Sequence, residues 1–161
     1  MKTLRTGVVG VGHMGNNHAR VYSEIAGSQL AAVYDSNPDT AAAVAKRYQT
    51  RATSSLEEFA SLVDAATICT PTVTHYDIGK FLLDRGLHLL IEKPIADTPE
   101  HARELAGLAA EKRCVLQVGH IERFNPVLAA LEASCRTRAF WKSPGSPRIQ
   151  TGARTSAWFW I

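Results

Sequence analysis

Short apolar runs alternate along this chain with longer amphipathic stretches, and that alternation constrains the fold more tightly than any other feature. The strand candidates are Thr6–Val9, Gln29–Tyr34, Ala66–Cys69, Leu87–Ile91 and Val115–Val118. Helical spacing runs over Met14–Ile25, Asp39–Tyr48, Leu56–Ala60, His75–Arg85, Pro99–Lys112 and Pro126–Ala133. The strand runs are near-continuously apolar, as strands are when helices cover both faces of a parallel sheet. The fold class expected is α/β, an open, doubly wound parallel sheet. Right-handed crossovers then bring every strand C-terminus to one edge, where such sheets bind their ligands.

Local chemistry supports these boundaries. Thr98-Pro99-Glu100 sets a hydroxyl cap before a proline at the first helical position, with an acid in the first turn. Ser54 and Ser55 precede Glu57 and Glu58 in the manner of a capping box. Gly86 follows the run ending Asp84-Arg85 and suits a left-handed helix stop.

Composition excludes several classes. The 161 residues are one domain's worth of chain, 45% hydrophobic and 20% charged. A net charge of +3, from 18 basic and 15 acidic residues scattered along the chain, gives no basic stripe for nucleic acid. Cys69, Cys114 and Cys135 form no CxxC or other metal-ligand spacing, and their odd number argues against a complete disulfide framework. No metal is expected, and Cys69 and Cys114 read as small core residues in a reducing compartment. No apolar stretch reaches the ~18–20 residues that cross a bilayer. The opening residues run from Met1 straight into a strand and do not resemble a signal peptide, so the expected location is the cytoplasm.

Directly after the first strand comes Gly10-Val11-Gly12-His13-Met14-Gly15, a GxGxxG that opens a helix. Gly10 permits the tight turn, Gly12 lets a pyrophosphate approach the backbone, and Gly15 lets helix and strand pack closely. Amide donors and the positive end of the helix dipole hold the phosphates. At the end of the second strand stands Asp35, placed to bond an adenine ribose 2′-hydroxyl and to repel a 2′-phosphate. Ser36-Asn37-Pro38 comes next with no Arg or Lys, which predicts NAD in preference to NADP. His13 and Met14 fall within this loop, where a role at the edge of the cofactor is expected.

The strand Leu87–Ile91 runs into Glu92-Lys93-Pro94. A lysine at a strand's C-terminal edge lies beside the cofactor crevice, where it can give a proton or hydrogen bond to a substrate oxygen. Taken alone, the same residues are also a surface Glu–Lys pair at a loop entrance. The proline permits a cis bond that fixes the turn.

In order along the chain, then, come GxGxxG, the acid after the second strand, Cys69-Thr70-Pro71-Thr72 with His75, Glu92-Lys93-Pro94, and Val118-Gly119-His120 with Arg123-Phe124-Asn125-Pro126. That series resembles the Gfo/Idh/MocA oxidoreductase family, over residues 3–133. Its last part is similar to the branch that contains UDP-N-acetylglucosamine 3-dehydrogenases and related sugar-nucleotide enzymes. The resemblance implies a Rossmann domain and hydride transfer between nicotinamide and a hydroxyl carbon of a sugar, sugar nucleotide or cyclitol. It implies that Lys93 contacts the reacting oxygen and assists proton transfer. It further implies that Thr70, Pro71, Thr72 and His75 lie beside the nucleotide, that Glu92 and Pro94 line the nicotinamide end, and that Arg123 and Asn125 lie near it. His120 is either near substrate or a plain strand-end histidine; His18 and His101 read as solvated helix residues, and His88 as the start of a strand.

Members of that family carry a second α/β domain that binds substrate, often builds a homo-oligomer interface, and supplies an Asp and a His to the catalytic group. After Pro126 this chain has no His and no Asp. The expected division is a dinucleotide-binding domain over 1–133 and an irregular tail over 134–161. Tryptophan has a single codon, so Trp158-Phe159-Trp160-Ile161 nearly fixes its DNA, and the frame starting at each codon's last base reads Val-Leu-Asp. That is the kind of run the family places before its Asp/His helix, so the tail is expected to be out of frame from about residues 133–138. The gene's nucleotide sequence tests this. Two functional readings remain: the nucleotide-binding part of an NAD-dependent oxidoreductase with little turnover alone, or a non-catalytic nucleotide-binding, redox-sensing module.

Overall fold

The computed structural model describes residues 3–128. The expected boundary at 133/134, the irregular tail and most of the helix expected over Pro126–Ala133 lie outside the described residues, although 126–128 are helical. The chain divides into two compact units, Met1–Gly119 and His120–Ile161.

In the first unit the order is β1 (Leu4–Val9), α1 (His13–Glu24), β2 (Ser28–Tyr34), α2 (Pro38–Tyr48), β3 (Arg51–Ala52), α3 (Leu56–Leu62), β4 (Ala65–Ile68), α4 (His75–Asp84), β5 (His88–Ile91), α5 (Pro99–Glu111) and β6 (Leu116–Val118). The strands form one six-stranded sheet in the order β3-β2-β1-β4-β5-β6. Every pairing is parallel. This is the doubly wound Rossmann arrangement, with its switch point between β1 and β4. Within this unit the expected elements form, with ends moved by about one or two residues. β3 is an addition that the apolar pattern did not signal.

The continuous apolar runs arise from the sheet's two covered faces. Val8 and Val9, both fully buried, point to opposite sides. Val8 joins Val11, Ala19, Leu30, Val33 and Val44 beneath α1 and α2. Val9 joins a second cluster with Phe59, Ile68, Leu82, Ile91 and Leu105 beneath α3, α4 and α5.

Capping sets the helix ends. The Thr98 hydroxyl accepts from the His101 amide at 3.1 Å, and the Ser55 hydroxyl accepts from the Glu58 amide at 3.1 Å. Glu58 answers by accepting from the Ser54 amide at 2.9 Å, which together with the Ser54 hydroxyl holds its carboxyl below the usual carboxylate range. Gly86 stands at φ +78°, the expected left-handed stop after α4. Among the described residues no helix is long and apolar enough to cross a membrane.

Candidate functional site at the C-terminal edge of the sheet

The loops leaving β1, β2, β4 and β5 meet at the C-terminal edge of the sheet, and with them most of the singled-out residues. In the β1–α1 loop three glycines answer three different demands. Gly10 is at φ +81°, and a Cβ there would lie 2.9 Å from the Thr70 backbone nitrogen. A Cβ on Gly15 would fall onto the Gly10 carbonyl oxygen, 2.9 Å from its carbon. Gly12 differs, because a Cβ there would meet nothing within 4 Å. Gly12 is also the N-cap of α1, with no side-chain cap and no acid in the helix's first turn. The start of α1 is therefore without a side-chain cap and, at Gly12, unobstructed by the described residues, with the positive end of the helix dipole behind it. His13 and Met14, the next two residues, are exposed.

Asp35 closes this loop from the end of β2. Its Oδ2 accepts from the Val11 amide at 2.8 Å and its Oδ1 from the Asn37 amide at 2.9 Å. One carboxylate thus joins the glycine loop to the start of α2. Two acceptor positions remain, since an ionised carboxyl offers about four.

The β4–α4 loop begins at Cys69. Thr70, Pro71 and Thr72 lead into a 3₁₀ turn over Thr72–Thr74, and the Thr74 hydroxyl lies 2.8 Å from both the Thr70 hydroxyl and the Pro71 carbonyl oxygen. His75, the first residue of α4, is only 1% exposed. Its Nε2 lies 2.8 Å from the Thr70 carbonyl oxygen and its Nδ1 2.9 Å from that of Pro94. The imidazole therefore spans the β4 and β5 loops from inside, acting on their backbones. The Lys93–Pro94 bond is cis.

Glu92, Lys93 and Pro94 leave β5 at the same edge, with Lys93 exposed. The Glu92 side chain is 12% exposed and its Oε1 lies 2.9 Å from His18 Nε2. Its Oε2 accepts from the Lys93 amide at 3.2 Å. His18 is not the solvated residue expected from the sequence: its side chain is 18% exposed and turned toward Glu92. A signal was present, since His18 lies three positions after Gly15 and one before Ala19, the two buried residues of α1. The half-buried Cys69 thiol is pushed up to about 12 by burial and by the neighbouring Glu92 carboxylate. Away from this edge, His101 stacks on Tyr76 with ring centroids 4.0 Å apart and pairs with Asp97, so it too is more than a solvated residue. His88 Nδ1 accepts from the Val115 amide at 2.9 Å.

In the second unit Ile121–Phe124 form a 3₁₀ turn directly after His120. Asn125 caps the next turn of chain, its Oδ1 accepting from the Val127 amide at 3.0 Å while its Nδ2 donates to Glu122 Oε2 at 2.9 Å. Arg123 is exposed.

A hollow of about 570 Å³ lies elsewhere in the first unit, at the opposite edge of the sheet among Arg5, Asp64, Arg85 and His88. The Arg5 guanidinium there is already paired to Asp64 at 2.6 Å. Volume alone is a poor guide in this fold, because a dinucleotide lies along an open strand edge rather than in an enclosed cavity.

Comparison with known proteins agrees with this fold. The chain is 44% identical over 128 residues to UDP-N-acetylglucosamine 3-dehydrogenase from Acidithiobacillus ferrooxidans, covering 80% of this chain and 40% of that protein. A solved structure of that enzyme superposes with a TM-score of 0.79 over 84% of this chain and 43% of the other. Inositol 2-dehydrogenase from Rhizobium meliloti is 35% identical over 131 residues, 80% of this chain and 39% of that protein. The structure of GenD2 from gentamicin A biosynthesis, in complex with NAD, matches with a TM-score of 0.81 at 31% identity, over 84% of this chain and 40% of that one. The chain thus spans about two fifths of the length of these relatives. The Gfo/Idh/MocA model, described as an oxidoreductase family with an NAD-binding Rossmann fold, matches residues 4–120, and the chain belongs to that family.

Proposed function

We propose that this chain is the nucleotide-binding part of an NAD-dependent oxidoreductase acting on a hydroxyl of a sugar, sugar nucleotide or cyclitol. The single observation that carries the reading is the free space over Gly12. The fold needs Gly10 and Gly15 for its own packing, but none of the described residues occupies the place of a Gly12 side chain. Glycine there serves a ligand that must touch backbone, and an uncapped helix N-terminus selects an anionic one. The residues present fit a dinucleotide diphosphate.

Gly10, Gly12, His13, Met14 and Gly15 would form the cradle, and Asp35 would take the adenine ribose. Its negative charge favours a 2′-hydroxyl over a 2′-phosphate, hence NAD over NADP. Thr70, Pro71 and Thr72 would flank the nucleotide. His75 would fix the separation of the β4 and β5 loops, and Glu92 and Pro94 would border the nicotinamide end. When bound, NAD supplies the hydride acceptor. Lys93, exposed beside Glu92, would hold the reacting oxygen and take up its proton as the carbon–hydrogen bond breaks. The names of the relatives, a 3-dehydrogenase of a sugar nucleotide and an inositol 2-dehydrogenase, support a ring hydroxyl as the substrate class.

Titration of the chain with NADH and with NADPH, monitored by nicotinamide fluorescence, tests this. NADH is expected to bind more tightly, and Lys93→Met to leave its affinity unchanged. A folded chain that binds neither nucleotide overturns the proposal.

A further inference from the structure

The geometry points to a binding site for a soft divalent cation, of the Zn²⁺ and Co²⁺ class, formed by His18, Cys69 and Glu92. Their ligand atoms all lie within 4.8 Å of one another, although the residues come from α1, the end of β4 and the end of β5. The donor set is one imidazole nitrogen, one sulfur and one carboxylate oxygen, which suits zinc and cobalt and not magnesium or calcium. Room for the carboxylate is built in: a Cβ on Gly119 would lie 2.9 Å from Glu92 Oε2 and 3.0 Å from Oε1. His18 and Glu92 keep 18% and 12% of their side-chain surface accessible, so water can complete a four-coordinate shell.

Charge also balances. As the metal–sulfur bond forms, the Cys69 thiol gives its proton to solvent, and the thiolate, the carboxylate and the neutral imidazole sum to two negative charges against the cation's two positive ones. The metal replaces the direct His18–Glu92 contact and binds both residues. The metal site does not rest on the dinucleotide reading.

The experiment uses the full chain, stripped with chelator and titrated with Co²⁺. One equivalent is expected to give a thiolate-to-cobalt charge-transfer band. Cys69→Ser should abolish the band, His18→Gln should weaken binding at least tenfold, and Cys114→Ser should change neither. Thermal melts establish that each variant is folded, and His18→Gln carries the test if Cys69→Ser is not. Absence of the band in the unmodified chain, an equal band in Cys69→Ser, or equal affinity in His18→Gln would overturn the site. A chain that gives the cobalt band when loaded, yet binds no NADH when metal-free, overturns the dinucleotide reading and leaves the metal site standing.

Discussion

Substituting alanine at Gly12 and at Gly15 separates what the glycine loop does for the fold from what it does for a ligand. At Gly15 the added methyl collides with the Gly10 carbonyl, a backbone atom that cannot swing aside. Overpacking of this kind costs roughly 1–3 kcal/mol or more. For a chain of this size each kcal/mol lowers Tm by about 2–4 °C, so Gly15→Ala should melt several degrees early. At Gly12 the methyl enters open space, and the backbone φ of −65° is one that alanine adopts freely. Lower unfolded-state entropy stabilises by ~0.4–1 kcal/mol, and the weaker N-cap offsets a similar amount. Gly12→Ala should therefore melt within a few degrees of the unmodified chain. Its NADH affinity should nonetheless collapse, because the methyl holds the diphosphate off the amides. Losing two charge-assisted hydrogen bonds at ~1.5–3 kcal/mol each predicts a fall of about 100-fold or more. Differential scanning fluorimetry and a fluorescence titration on the same samples read both quantities. If Gly12→Ala binds NADH like the unmodified chain, the diphosphate does not lie over Gly12 and the site has been misplaced.

At the same edge of the sheet, Asp35→Ala should lose ~2–4 kcal/mol by stripping the Val11 and Asn37 amides of their acceptor, and should narrow the preference for NADH over NADPH in paired titrations. His75→Ala should destabilise by ~2–5 kcal/mol in urea unfolding, through the cavity and the loss of both loop contacts, and a change below about 1 kcal/mol would show that the imidazole does not tie the loops. Cys69 ionises only near 12 in the folded chain against an ordinary 9.0, so folding favours the protonated thiol and stability should fall as pH rises from about 9 toward 12. At neutral pH, iodoacetamide labelling read by mass spectrometry should modify Cys69 far more slowly in the native chain than in denaturant.

The layered sheet was legible because its signals are local. Continuous apolar strands, helical spacing, hydroxyl caps and the Gly86 stop each depend on a few adjacent residues. β3 escaped because Arg51–Ala52 is two exposed residues long, paired only through backbone to Ala32 and Val33. The site was legible as positions along the chain but not as a set of contacts. His18 and Glu92 are 74 positions apart, and only the packing of α1 against the sheet brings the helix residue to the one that follows β5. His75 was assigned to the nucleotide's surroundings by resemblance; that both its nitrogens would point at backbone carbonyls depends on where the Pro94 loop runs. The second bond of Asp35, back to Val11, was hidden for the same reason. Sequence spacing also showed no metal-ligand pattern around Cys69, because its two companions belong to other elements.

One carboxylate holds the first crossover together before any nucleotide arrives, and this bears on how such a domain can be re-engineered. An attempt to alter the proposed dinucleotide preference by removing the acid at position 35 also unfastens the turn over which the diphosphate is proposed to lie. A successful redesign has to supply a replacement acceptor for those two amides first. Otherwise apparent losses of selectivity will record a loosened scaffold instead of a changed recognition rule.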